Sequence, residues 1–250
     1  MDGGAFPTLI AIITMFFAGT AGGAFQSVVS TLMLTGVIVL GVAMTVFISK
    51  LLSKTILKGM PSSFNLELPP YRRPQIGRVI VRSVLDRTLF VLSRAVVVAA
   101  PAGLVIWALA NIYAGDLSLL ARCAGFLDPF GKLLGMDGYI LMAFILGFPA
   151  NEIVVPIIIM SYMATGSLTD FESLAELRTL FVSHGWTPLT AVCTMLFSLM
   201  HWPCGTTCLT IRKETQSLKW TLISFAVPTL TGICLCLIVA NAARLLGLLL

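Results

Sequence analysis

Gly138-Tyr-Ile-Leu-Met-Ala-Phe-Ile-Leu146, Gly147-Phe-Pro-Ala-Asn151 and Glu152-Ile-Val-Val-Pro-Ile-Ile-Ile-Met160 follow one another in a run, 138–169, whose single formal charge is Glu152. The run is apolar enough for a bilayer, yet glycine and proline interrupt it. The piece before the break has about 9 residues and the apolar piece after it about 13. As helix these measure roughly 14 and 20 Å, each short of the roughly 30 Å hydrocarbon core. The run is therefore one broken span or a re-entrant hairpin. Irregular backbone at membrane depth is tolerated only where protein buries it or where it lines a watery cavity. A second run, Thr179 to Ile211, carries no formal charge and is broken at His201-Trp-Pro-Cys204.

Composition excludes the alternatives. The chain has 250 residues, 58% of them hydrophobic and 11% charged, with a mean hydropathy of +0.98. Soluble domains carry about 25% charge, so a soluble domain, a disordered chain, collagen, a coiled coil and a small disulfide scaffold all fail. The net charge of +5 does not imply nucleic acid, because the basic residues concentrate in one segment between apolar runs. Lys50 to Arg94 holds nine basic residues against Glu67 and Asp86, which places it in the cytoplasm.

Around that loop the sequence predicts an all-α polytopic membrane protein with about four full or broken transmembrane spans plus a re-entrant helical hairpin, about five to seven membrane segments. Residues 1–49 read as two transmembrane helices, near 6–21 and 26–49, parted at Gly19-Thr-Ala-Gly-Gly23. Met1-Asp-Gly-Gly4 lacks the Lys or Arg of a signal peptide. Residues 50–87 read as a basic cytoplasmic connecting segment. Residues 88–137 hold a span near 88–113 and an external amphipathic stretch, and 138–250 a region of hairpin, broken helix and final span near 219–243. Residues 165–186 read as a short polar loop, net −2, and Arg212 to Lys219 carry +2. A hairpin at 138–164 leaves the acidic loop outside and the basic one inside, whereas a full crossing reverses them; the hairpin is the expected form.

Broken helices build midplane solute sites in transporters, although packing kinks also use proline and glycine. Glu152 is a lone carboxylate beside Asn151, directly after the first break, and an ionisable group there is a functional candidate; lying at a wet interface or capping a half-helix is the bland alternative. At the second break His201, Cys204 and Cys208 fall at i, i+3 and i+7, one helix face if the helix continues through Pro203. Thr207 adds a hydroxyl. Imidazole and thiolate suit borderline or soft divalent metals. His201 could equally satisfy a broken-helix carbonyl, and Cys208 could be a small buried apolar residue. The chain has no Gly-x4-Gly-Lys-Ser/Thr loop, no Gly-x-Ser-x-Gly elbow and no His-Glu-x-x-His helix, so no enzyme constellation stands out.

Phe64-Asn-Leu-Glu-Leu-Pro-Pro-Tyr-Arg-Arg-Pro74 resembles the cytoplasmic loop of the ferrous iron transport protein B family. Gly147-Phe-Pro-Ala-Asn-Glu-Ile153, Thr187-Pro-Leu-Thr-Ala191 with Cys193-Thr-Met-Leu-Phe197, and His201-Trp-Pro-Cys204 through Thr215 agree with it in order and spacing. The resemblance covers roughly residues 5–245. It implies the membrane permease portion of a bacterial Fe²⁺ uptake transporter in the cytoplasmic (inner) membrane, with residues 138–245 as a second, nucleoside-transporter-like Gate. Fe²⁺ would be transported substrate, with no permanently bound cofactor. Glu152, Asn151, Cys204, His201, Cys208 and Thr207 would form the ion pathway. The family's GTP-binding domain and first Gate have no counterpart here. The expectation is thus a fragment or split subunit that is not an enzyme, with that GTP-binding and first-Gate portion and the lipid bilayer as partners, a homo-oligomer possible and no nucleic acid. A nucleoside or other small-solute permease fragment and a non-transporting structural membrane subunit are the competing readings.

Overall fold

The computed structural model describes residues 5–17, 24–56, 89–163 and 174–247, with isolated positions 77, 81, 82 and 85. Most of the basic connecting segment, including Phe64–Pro74, lies outside the described residues, as do the Gly19–Gly23 break and residues 164–173.

Helix α1 spans Ala5–Phe16 and α2 spans Ala24–Lys54. The two differ in what covers them. Helix α2 contains 28 consecutive residues, Ser27–Lys54, apolar enough to cross a membrane, and it exposes Val28, Leu32, Val39, Val46 and Phe47. Helix α1 has 12 residues, about 18 Å. Its Leu9, Ile12, Ile13 and Met15 are buried, and it packs on the helices Leu174–Ser183 and Pro188–Met200. Over the described part of the expected span at 6–21 the helix is largely enclosed by protein. Its apolar surface meets protein on several sides instead of lipid on most of them.

Helix α3 (Phe90–Asn111) has 22 residues and carries Pro101. A tight antiparallel ladder, β1 (Tyr113–Ala114) with β2 (Leu117–Ser118), pairs Tyr113 with Ser118. Ser118 then caps α4 (Leu119–Leu133), accepting from the amide of Ala121 at 3.2 Å. The stretch expected as external and amphipathic is this helix, and it buries Leu120, Ala124 and Gly131. Helix α5 (Gly138–Leu146) turns back on it at 110°. The contact is so close that a Cβ on Gly138 would lie 1.9 Å from the carbonyl oxygen of Ala124.

After the first break, α6 (Val154–Met163) follows a short 3-10 turn, Asn151–Ile153. Helix α7 (Leu174–Ser183) stands where the sequence suggested a polar loop. Its charges mislead because Glu176 is exposed, while Leu177 and Phe181, one helical turn apart, are buried, and the helix packs on α1. Helix α8 (Pro188–Met200) begins with Pro188 and is capped by Thr187. Helix α9 (Gly205–Thr215) follows the second break, and α10 (Leu218–Leu245) is a second apolar helix long enough to cross. Among the described residues two helices meet that length, or up to four if each sharply bent helix pair counts as one span. The core centres on α5, α6 and α8, where Phe144, Ile157, Ile158, Met195 and Phe197 are almost fully buried.

Candidate solute site at the two helix breaks

Both interruptions have a local cause. Proline lacks the N–H of the helical ladder, and its ring clashes with the turn before it. Helix α5 ends at Leu146, shortly before Pro149, and Ala150, directly after that proline, is extended (φ −153°, ψ 118°). Helix α8 ends at Met200, shortly before Pro203; His201 (φ −74°, ψ −176°) and Cys204 (φ −62°, ψ 160°), on either side of the Trp202-Pro203 pair, are both extended.

The two breaks meet. The amide of Gly205, at the start of α9, donates to the carbonyl oxygen of Phe148 at 2.7 Å. An N-terminal helix amide, which has no intrahelical acceptor, is satisfied by a carbonyl that Pro149 leaves outside regular structure. Aromatic rings close the junction: Trp202 stacks on Phe225 of α10 with centroids 5.6 Å apart, and Phe148 meets the same ring edge-on at 6.2 Å.

Beside this junction lies a cavity of about 450 Å³. Asn151 reaches it from the first break, Ser198 through Pro203 from the second, and Thr207 from α9, while α2 and α10 contribute Thr45, Ser224 and Pro228. The last turn of α8 faces it, and helix C-termini carry partial negative charge on carbonyls without intrahelical partners. The positive end of α9, by contrast, has an amide stapled to Phe148.

Three of the six sequence-derived site residues, Asn151, His201 and Thr207, line this one cavity, and Asn151 and His201 are buried. The other three do not line it. Glu152 is exposed. The Sγ of Cys204 lies 3.1 Å from the hydroxyls of both Thr206 and Thr207, and the Cys208 thiol donates to the carbonyl of Pro203 at 3.5 Å. The expected single face of His201, Cys204 and Cys208 does not form, because the helix stops at Met200 and restarts at Gly205. Among the described residues no three His, Cys, Asp or Glu side chains converge as a metal cluster. All six cysteines are free thiols.

Sequence reasoning missed two features. Thr45, Ser224 and Pro228 sit within long apolar helices, where only a proline in a span could have drawn notice. A polar network also ties the core together at the far end of α5. Asp137 caps α5 through the amide of Ile140 at 2.7 Å and accepts from the Tyr162 hydroxyl, which in turn accepts from Trp186 Nε1 at 2.8 Å. His184 stacks on Tyr162 at 4.3 Å. An Asp directly before an apolar run is a helix-start signal, but Tyr162 and Trp186 lie far along the chain and carry no local mark of the pairing.

Comparison with known proteins returns two family models. The C terminus of ferrous iron transport protein B matches residues 34–86, and Gate, described as nucleoside recognition, matches residues 92–218, just over half the chain. Among curated relatives, the Fe(2+) transporter FeoB of Staphylococcus aureus (strain COL) is 31% identical over 220 residues, covering 84% of this chain and 31% of the relative. The Fe(2+) transporter FeoB of Methanocaldococcus jannaschii is 27% identical over 248 residues, covering 94% and 35%. A fusion of Fe(2+) transport protein A with this transporter in Porphyromonas gingivalis (strain W83) is 24% identical, covering 87% and 30%. The chain spans about a third of the length of the relatives it matches. No solved structure matches.

Proposed function

The chain belongs to the ferrous iron transport protein B family, in its C-terminal and Gate-containing part, and on that premise we propose that it forms the permease portion of an Fe²⁺ transporter. It is a multi-pass protein of the cytoplasmic membrane, with apolar helices of spanning length. Neither matched family model is a GTP-binding domain. Energy input and the remainder of the pathway would come from a GTP-binding and first-Gate portion.

The observation that carries this reading is the junction of the two breaks, Gly205 on Phe148 at 2.7 Å, beside the cavity that Asn151, His201 and Thr207 share. Fe²⁺ would enter with part of its water shell and exchange some waters for the Asn151 amide oxygen, the His201 imidazole and the Thr207 hydroxyl. Few ligands keep binding weak enough for release. Glu152, exposed and next to Asn151 in the chain, would raise the local cation concentration at the mouth. Cys204 and Cys208 would shape the α9 start through their hydrogen bonds. Residues 50–87 would connect on the cytoplasmic side, and 138–250 would act as the Gate. A homo-oligomer is compatible with the exposed apolar faces of α2 and α10.

The test is ⁵⁵Fe²⁺ uptake under reducing conditions in a strain without iron permeases, with this chain expressed alone and with the GTP-binding and first-Gate portion. Uptake that requires both supports the reading; no uptake from either, with the protein inserted, sinks it. The description of the Gate model as nucleoside recognition favours a second reading, an organic-solute permease. Uridine uptake in the same cells separates the two.

A further inference from the structure

Two prolines line the cavity, and each is accompanied there by the residue four positions before it: Pro203 with Leu199, and Pro228 with Ser224. A proline cannot donate to the carbonyl four positions back. At Pro203 the chain leaves the helix altogether. At Pro228 it does not, since α10 runs unbroken from Leu218 to Leu245. The carbonyl of Ser224 therefore loses its ladder donor inside an apolar helix, where an unsatisfied backbone group is costly, and it does so beside a cavity.

The hydroxyls around it have their protons committed elsewhere. Ser224 Oγ donates to the carbonyl of Thr221 at 2.8 Å, and Thr45 Oγ1 donates to that of Gly41 at 2.8 Å. Each hydroxyl oxygen keeps its lone pairs free of the bond it donates. His201 Nδ1 lies 2.8 Å from the carbonyl of Ser198. A carbonyl only accepts, so the proton sits on Nδ1, and in the neutral ring Nε2 is the acceptor nitrogen. Thr45 of α2 and Ser224 of α10 thus border one cavity with the residues of the second break, and hydroxyl oxygens whose protons are committed keep lone pairs suited to a cation.

We infer that α10 is a third wall of the ion path: the Ser224 carbonyl released by Pro228, with the Ser224 and Thr45 hydroxyls, contacts the partly hydrated divalent cation through oxygen. This deepens the proposed function and rests on reading the cavity as the Fe²⁺ station.

The test is equilibrium binding of ⁵⁵Fe²⁺, kept reduced by ascorbate without oxygen, to the full chain in lipid nanodiscs. Asn151→Ala reports on the cavity itself. Ser224→Ala and Pro228→Ala report on the third wall, and neither adds bulk. Each of these two weakens binding about tenfold, the scale of one hydrogen-bond-like contact to a charge, while Ser224→Thr, which keeps the hydroxyl, stays within about twofold. If Asn151→Ala loses binding while Ser224→Ala and Pro228→Ala match the wild type, the third wall is wrong and the station stands. Unchanged binding in Asn151→Ala, or no saturable binding by the wild type, overturns both.

Discussion

The amide of Gly205 and the carbonyl of Phe148, distant from each other in sequence, are joined at 2.7 Å and hold the two helix interruptions together. Gly205 is the first residue of α9, a position whose N–H ordinarily finds water or a cap. Its exchange with deuterium should be as slow as that of helix-interior amides in α8, and faster by orders of magnitude when Pro149 or its neighbours are altered so that the break reshapes. Residue-resolved hydrogen exchange measures this. Rapid exchange at Gly205 in the unaltered protein would show that the junction opens freely.

The close crossing of α4 and α5 leaves no room at Gly138. A methyl there would sit 1.9 Å from Ala124 O and 2.7 Å from the amide nitrogen of Asp128, both backbone atoms. Gly138→Ala should therefore separate the two helices, at a cost of about 3 kcal/mol or more, and yield aggregated protein in detergent. Gly36→Ala, where nothing lies within 4 Å, is the matched control. Size-exclusion profiles of the two variants decide the point.

Tyr162 sits between a carboxylate and an indole. Tyr162→Phe keeps the ring stacked on His184 but removes the acceptor of Trp186 Nε1 and a donor to Asp137. Leaving buried polar groups unpaired should cost about 1–3 kcal/mol. A lowered midpoint in detergent or urea titration checks it, with Trp186 fluorescence as the local reporter. If Asp137 is first changed to Ala, the part of the loss that comes from the Asp137 bond should vanish while the part from the stranded Trp186 Nε1 remains.

Thiol and amide should separate in transport. The thiol of Cys204 is engaged with Thr206 and Thr207 and does not line the cavity, and a serine hydroxyl can make the same bonds. In a complete transporter, Cys204→Ser should lower Fe²⁺ uptake less than about threefold, and Asn151→Ala more than about tenfold. Glu152→Gln should act mainly through apparent affinity and weaken with rising salt, as expected of an exposed charge. A Cys204→Ser variant with no uptake at equal expression would return the thiol to the ion path.

Much of the site was legible before folding. Asn151 stands out as the neighbour of the lone Glu152 after the first break and His201 as an imidazole among soft donors at the second, and the structure brings both to one cavity. The alignment of His201 with Cys204 and Cys208 failed for a reason the same residues contain: it required a helix through Pro203, and Pro203 with Trp202 before it ends that helix. Helix α7 was hidden because Glu176 and Arg178 dominate a short segment, while its buried stripe, Leu177 and Phe181, is only one turn long. The burial of α1 carries no mark in the sequence, because apolar character alone does not separate a lipid-facing helix from one enclosed by protein.

The sequence by itself determined that this chain lives in a membrane, that it is helical, and where its helices break, because charge density, apolar run length and proline act locally and need no partner. Only the tertiary structure decided that the two breaks touch, that Gly205 answers Phe148, and that Thr45, Ser224 and Pro228 close the same space from α2 and α10. Those relations depend on which faces of distant helices meet. That is set by close approaches such as Gly138 on Ala124 and Gly232 on the Met200 carbonyl, which leave no periodic trace along the chain.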